Sequence, residues 1–121
     1  MTRKSIKISE ASELVGLDKQ IKNFCFFIWL RKLIIQKYRL SIPDLMRGKK
    51  YNMVEARMII FYLLKKHTSY NYRDVAVLFD IKNHSLIHRS VKRIEGFILA
   101  NRKRNILSVI SYFEASKYAL T

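Results

Sequence analysis

The sequence predicts an all-α fold, a five- to six-helix bundle that contains a helix-turn-helix. Only three glycines and one proline occur among the 121 residues, so residues that interrupt helices are scarce. Half of the residues are hydrophobic, which is enough for one core in a chain of this length. These residues recur at intervals of three and four rather than alternating, which is the period of a helix. One helical domain is therefore the expected architecture.

The charge of the chain indicates the kind of partner. Lysine and arginine number 24 against nine acidic residues, which gives a formal net charge of +15. Repulsion on this scale opposes folding, so proteins usually carry such a charge for an anionic partner. The basic residues lie within the hydrophobic segments rather than in a separate tail. We therefore expect a nucleic acid as the partner, with an anionic membrane surface as a less favoured alternative.

The N-terminal third is the least regular part of the pattern. Residues 1–18 are a poorly determined N-terminal segment, with at most a short helical turn that ends at Gly16. Residues 19–121 are expected to form a single helical DNA-binding domain, whose first helix covers residues 19–37. That helix is apolar almost all round. It is therefore either enclosed by the rest of the domain or pairs with a second copy as a homodimer through residues 19–37.

Cysteine content and hydropathy bear on the location of the protein. Cys25 is the single cysteine and lies among phenylalanines, so a buried, inert thiol is expected. The first residues do not resemble a secretory signal. The most apolar run, residues 24–30, is far shorter than the ~20 residues that span a bilayer. We expect a cytoplasmic, nucleoid-associated protein without a membrane partner.

The segment after the first helix combines a helix start with a basic loop. Ser41, Pro43 and Asp44 supply a capping hydroxyl, an early proline and an acid in the first turn. They predict a short helix that ends near Met46. Residues 47–50, Arg-Gly-Lys-Lys, follow as a basic loop.

The next helix is the expected centre of the core. Asn52, with Glu55 three positions later, predicts a capped helix from Met53 to about His67. The interior of this helix is almost wholly apolar. Arg57 stands out because a cation early in a helix opposes the helix dipole. Either Arg57 is a solvated surface residue or it binds an anion.

Three further helices are expected in the C-terminal half. Asn71, with Asp74 three positions later, caps the first of them. A tight turn at residues 80–82 separates the first helix from the second. The expected bounds are 72–79, 83–101 and 105–120.

The helix expected at residues 83–101 has two faces of opposite character. Apolar residues at spacings of four, three and four share one face: Ile87, Val91, Ile94 and Ile98. Polar and basic residues share the other: Ser85, His88, Arg89 and Lys92, with Arg93 beside them. A short helix, a tight turn and a longer helix with a basic outer face are typical of a helix-turn-helix.

Particular segments within residues 38–94 strengthen this interpretation. They read YRLSIPDL, VEARMIIFYLLKKHT, YRDVAVLF, KNHSLIH and VKRI, and they resemble the C-terminal DNA-binding domain of the bacterial replication initiator DnaA. The family signature Gly-Gly-Arg-Asp-His-Thr/Ser-Thr-Val corresponds here to residues 80–87, Asp-Ile-Lys-Asn-His-Ser-Leu-Ile. Three residues agree with it: His84, Ser85 and Ile87. Both glycines are lost, and Asn83 replaces the aspartate of the family.

The resemblance implies a fold and a set of DNA contacts. The fold is a Trp-repressor-like bundle with a DnaA-like core at residues 38–99, here as a standalone protein without the ATPase domain. In the family, the turn and the start of the recognition helix read base edges, and an arginine of the basic loop enters the minor groove. The base contacts implied here are Lys82, Asn83, His84, Ser85 and Lys49. The phosphate contacts expected are Arg47, Lys50, Arg57, Lys65, Arg89 and Lys92.

Asn83 changes the expected base preference. The aspartate of the family only accepts hydrogen bonds, which suits the amino group of cytosine. Asparagine both donates and accepts, which suits the edge of adenine. We therefore expect this protein to prefer A where the family reads C, unless Asn83 merely caps the helix.

The resulting functional prediction is sequence-specific DNA binding in replication control or transcriptional regulation. No ATPase is expected, because Pro43 stands where the first glycine of a phosphate-binding loop ending in Gly48-Lys49 would belong. No enzyme, cofactor or metal site is expected either: the acids are scattered, and His84 and His88 lack a third ligand. The alternative is an RNA-binding or ribosome-associated basic helical protein, since charge alone does not separate the two nucleic acids.

Overall fold

The computed structural model describes residues 8–120, with side chains described for residues 16–116. This part of the chain contains six helices and no strand, which confirms the predicted all-α bundle. The helices are α1 (Ile8–Tyr38), α2 (Ile42–Arg47), α3 (Tyr51–His67), α4 (Tyr72–Leu78), α5 (Ser85–Ala100) and α6 (Arg104–Leu120). Residues 1–7 of the predicted N-terminal segment lie outside the described residues.

α1 is longer than the sequence predicts. It runs through Gly16 without interruption, so the expected stop at that residue is wrong. A glycine ends a helix by adopting a left-handed conformation, and Gly16 has no positive φ. The helix therefore crosses the expected boundary between residues 18 and 19, and the domain bounds remain a prediction. Cys25 is exposed on α1, so the expectation of a buried thiol is also wrong.

α3 is the central helix, as the sequence predicts. It packs against α1, α2, α4, α5 and α6, and its buried side chains fill the core. The fully or almost fully buried residues of α3 are Ala56, Ile59, Ile60, Phe61, Leu63 and Leu64. On the opposing helix, Leu30 and Ile34 of α1 are completely buried. The core therefore forms around α3, and α1 contributes one of its faces.

The start of α3 differs from the prediction. The helix begins at Tyr51, Lys50 is at the N-cap position, and no side chain caps it, so the expected cap at Asn52 is wrong. Glu55 is instead buried, and its carboxylate accepts hydrogen bonds from Tyr38 Oη at 2.7 Å and Asn105 Nδ2 at 3.3 Å. Burial, with the hydrogen bond and charge of Glu55, raises the pKa of the Tyr38 hydroxyl. That proton therefore stays in place and links α1 to α3.

Candidate nucleic-acid interface

α4 and α5 form the predicted helix-turn-helix. Asn71 caps α4 as expected: its Oδ1 accepts from the Asp74 backbone N at 2.8 Å, and the Asp74 carboxylate accepts from the Asn71 backbone N at 2.9 Å. Phe79, just after α4, packs edge-on against Phe61 with ring centroids 4.8 Å apart and against Phe27 at 5.7 Å. The cap and this aromatic contact fix α4 at both ends.

The turn between the two helices has one residue in the left-handed region, although neither glycine of the family signature is present. Asp80 has a φ of 54°, and neither Ile81 nor any other turn residue has a positive φ. Only the first signature position therefore needs the left-handed region, which aspartate tolerates better than most residues. The Ile81 N–H donates to Ala76 O at 2.8 Å and closes the end of α4.

The basic loop after α2 lies beside this turn. Arg47 Nη2 is 3.0 Å from Asp80 Oδ2, and both side chains are largely exposed. Gly48 is required in the loop, because a Cβ there would overlap the Met53 side chain and the carbonyl oxygen of Asp44. The loop at residues 47–50 and the turn at residues 80–82 thus form one continuous surface.

The first turn of α5 is capped by Asn83. The helix begins at Ser85, two residues later than predicted, with His84 at the N-cap position. Asn83 Oδ1 accepts from the Ser85 backbone N at 3.0 Å and from Ser85 Oγ at 2.5 Å. The Asn83 oxygen therefore faces α5, whereas the amide nitrogen remains available. His84 and Lys82 are exposed on either side.

α5 has the two faces that the sequence predicts. Ile87, Val91 and Ile94 are buried, whereas Ile98 is 39% exposed and departs from the expected apolar face. The outer face is exposed and consists of His88, Arg89, Lys92 and Arg93. The His88 ring packs edge-on against Tyr72 of α4, with ring centroids 4.9 Å apart.

Two of the expected phosphate contacts are already engaged within the protein. Arg57 donates from Nη1 to Leu45 O and from Nη2 to Gly48 O, each at 2.8 Å. Burial lowers the pKa of the Arg57 guanidinium. Lys65 donates to Tyr70 O at 3.0 Å and lies 4.5 Å from the centre of the Tyr72 ring. Both residues are half-buried and stabilise loops.

The other expected cations are more accessible. Within the described part of the chain, four of them form no ion pair: Lys49, Lys50, Lys82 and Arg89. Lys92 is paired with Glu95 at 3.4 Å, and like the Arg47–Asp80 pair it is exposed and therefore weak. A row of free or weakly paired cations thus lies along the loop, the turn and the outer face of α5.

A cavity places one further basic residue at this surface. It has a volume of about 380 Å³, and Lys49 of the loop and Arg93 of α5 both line it. Arg93 is expected from the sequence to lie beside the basic face of α5, but it is not among the predicted DNA contacts. The signal that could have indicated it is its position, one residue after Lys92 on the same helix.

Two other kinds of site, a membrane span and a metal cluster, are absent from the described residues. No helix there is both long and apolar enough to cross a bilayer. No group of three or more histidine, cysteine or acidic residues there is arranged to hold a metal ion.

Comparison with known proteins gives one consistent result. Residues 30–94 match the family model of the bacterial DnaA protein helix-turn-helix. The chromosomal replication initiator protein DnaA of Pelobacter propionicus is 31% identical over 67 residues, which cover 54% of this chain and 15% of the relative. The protein of the same name from Buchnera aphidicola subsp. Cinara cedri is 24% identical over 113 residues, which cover 93% of this chain and 25% of the relative. The chain thus spans a quarter or less of these relatives. No solved structure matches it.

Proposed function

We propose that this chain, which belongs to the bacterial DnaA protein helix-turn-helix family, binds double-stranded DNA sequence-specifically by placing the start of α5 in the major groove. The observation that carries the proposal is the continuous basic surface formed by residues 47–50 and 80–85. The Arg47–Asp80 contact of 3.0 Å joins its two parts. An exposed helix start reads base edges, and a neighbouring basic loop binds the backbone or the adjacent minor groove.

The residues divide into base and phosphate contacts. In this proposal Lys82, Asn83, His84 and Ser85 face base edges, and Lys49 enters the minor groove. The backbone is bound by the cations Arg47, Lys50, Arg89 and Lys92. Arg57 and Lys65 contribute to phosphate binding only through the N–H groups that their carbonyl partners leave unused.

A biological role is suggested by the relatives, which are named chromosomal replication initiator proteins. We assign this chain to replication control or transcriptional regulation, in the cytoplasm and at the nucleoid, and we assign no catalysis or ATP hydrolysis to its 121 residues. Pairing of two copies through residues 19–37 is part of the proposal, because one face of α1 is left exposed.

Selection of bound duplexes from a random DNA library tests this function. Wild-type protein should enrich one short motif, and His84→Ala with Ser85→Ala should lose the bases read there while retaining weaker, unselective binding. Each lost base contact is worth about 1–3 kcal/mol. Arg102→Ala with Lys103→Ala removes two exposed cations after α5 and should leave the motif unchanged. No enrichment by the wild type would refute sequence-specific binding.

A further inference from the structure

The outer face of α1 carries a stripe of exposed hydrophobic side chains. The stripe consists of Leu17, Ile21, Phe24 and Ile28, which are 53%, 53%, 50% and 36% exposed. Their spacings of four, three and four are those of a seam between two helices. Single exposed hydrophobic residues are ordinary, but a contiguous stripe marks an interaction surface.

The stripe is separate from the face of α1 that builds the core. Phe27, Leu30 and Ile34 are at most 2% exposed and pack into the domain. From the sequence, this helix is expected either to be enclosed by the domain or to pair with a second copy. In the structure, one face of α1 buries these three side chains in the core, and the other face, which carries the stripe, remains available for pairing.

Charge along α1 distinguishes between possible occupants of the stripe. Residues 8–28 hold three acids and two bases, although the whole chain has a net charge of +15. An interfacial membrane helix has a basic polar face, and this segment does not have that composition. It is also the stretch where a second, strongly basic copy meets no net repulsion.

The order of the charges complements a second copy. The acids Glu10 and Glu13 precede the stripe along α1, and the bases Arg31 and Lys32 follow it. When two identical segments pair in antiparallel fashion with their stripes in register, the acidic end of each lies along the basic end of the other. Opposite charges then meet at both ends of the hydrophobic seam.

We propose that two copies of this chain associate through the stripe, with their α1 helices antiparallel. The seam from Leu17 to Ile28 covers about 17 Å of helix, so the interface is smaller than standard and the dimer weak and reversible. The consequence for DNA binding rests on the proposed function: the dimer carries two helix-turn-helices. When one site is bound, the second helix-turn-helix is held near the DNA at a raised effective concentration.

Sedimentation equilibrium without DNA tests the dimer independently of the proposed function. Wild-type protein should pass from monomer to dimer between low micromolar and several hundred micromolar. Ile21→Ser with Phe24→Ser should shift that transition to at least tenfold higher concentration while leaving helix content unchanged, because both side chains are half exposed. Ile42→Ser with Leu99→Ser is the matched control, since these exposed residues lie outside the stripe. The control should dimerise like the wild type.

Cys25 supplies a second measurement because it is exposed and is the single cysteine of the chain. A short bis-maleimide should join two wild-type copies through Cys25 and fail with the Ile21/Phe24 variant. A wild type that stays monomeric, or a variant that dimerises equally well, overturns the proposal. Stripe-dependent binding of a monomer to anionic vesicles also overturns it and assigns the stripe to a membrane. The monomeric variant should bind a single DNA site as tightly as the wild type.

Discussion

At the scale of single residues, Asn83 shows how a cap and a base contact compete for one side chain. Its Oδ1 accepts two hydrogen bonds from Ser85, which leaves the amide nitrogen as the group free to meet DNA. A two-point contact with adenine needs the oxygen as well. The structure therefore favours guanine or thymine, which offer this amide only acceptors, over the adenine expected from the sequence, whose N6 amino group would lack an acceptor.

Exchange of Asn83 for the aspartate of the family tests this interpretation. Asn83→Asp keeps the capping oxygen but replaces the donor with a second acceptor, so preference at one position should move toward cytosine by about 1–3 kcal/mol. Parallel selection of duplexes with both proteins measures the shift. A wild-type preference for adenine would show that the cap opens on binding, and identical preferences would leave Asn83 a cap alone.

Arg57 is a second residue whose role differs from the expected one, which was a contact with a DNA phosphate. It bridges the carbonyls of Leu45 and Gly48, so it should act on DNA through the position of the basic loop. Arg57→Lys keeps the charge but cannot bridge both carbonyls. It should weaken DNA binding by about tenfold, nearly as much as Arg57→Met.

A double-mutant cycle with Lys49→Ala separates positioning from direct contact. If Arg57 acts through the loop, the two losses should be less than additive. Additive losses, together with retained binding by Arg57→Lys, would assign Arg57 to a phosphate. Circular dichroism of each variant checks that the fold is intact.

At the scale of elements, local signals predicted helix ends where the capping partners are close in sequence and failed where the partners are distant. The cap at Asn71 was predictable because both its partners lie within three residues. Glu55 matched the same kind of pattern, yet its partners Tyr38 and Asn105 are 17 and 50 residues away along the chain. The extension of α1 was missed because a helical glycine costs only ~1 kcal/mol, which a long helix tolerates.

The two asparagines expected to be caps give a matched pair of variants. Asn71→Ala removes an observed capping box and should lower the free energy of unfolding by about 1 kcal/mol. Asn52→Ala removes an exposed residue that caps nothing and should change it by less than ~0.5 kcal/mol. Urea denaturation measures both. Equal losses would mean that the α4 cap does not stabilise the domain.

Glu114 joins α6 to the end of α3 and should make stability depend on pH. Its Oε2 is 2.7 Å from Lys66 Nζ and 2.6 Å from His67 Nε2. Burial alone would raise the pKa of Glu114, but the hydrogen bonds and charges of Lys66 and His67 outweigh it and lower that pKa below 4.5. The stabilisation is therefore complete above pH 4.5 and disappears as the pH falls through the lowered pKa.

Glu114→Gln should accordingly lower the free energy of unfolding at neutral pH, and the stability of the variant should fall less steeply on acidification. Thermal denaturation of wild type and variant from neutral to acidic pH measures the difference in stability between them, which should shrink below pH 4.5. Glu95→Gln is the control, because its carboxylate meets Lys92 on an exposed face of α5. A difference between wild type and Glu114→Gln that is independent of pH would contradict the assignment.

At the scale of the whole molecule, the charge and the fold point to the same partner. The class of fold and the basic face of α5 were predictable, because both depend on residue spacing within one helix. The identity of the free cations was not predictable, because Arg57 and Lys65 are engaged by carbonyls that the folded loops bring to them. Of the remaining cations, four are assigned to the backbone, and Lys49 in the minor groove lies between the two backbones. About five phosphate charges are thus neutralised, and the log–log salt slope should be near −4.5.

The affinities for duplex DNA and for duplex RNA of the same sequence, measured side by side over a range of salt concentrations, test the central claim most directly. The major groove of DNA admits α5, whereas that of RNA is too narrow for a helix. DNA should therefore bind more tightly at every salt concentration, with a slope near −4.5, and Arg89→Ala should flatten that slope by about 0.9. Equal or tighter binding to the RNA duplex would contradict the claim that α5 enters the major groove of DNA.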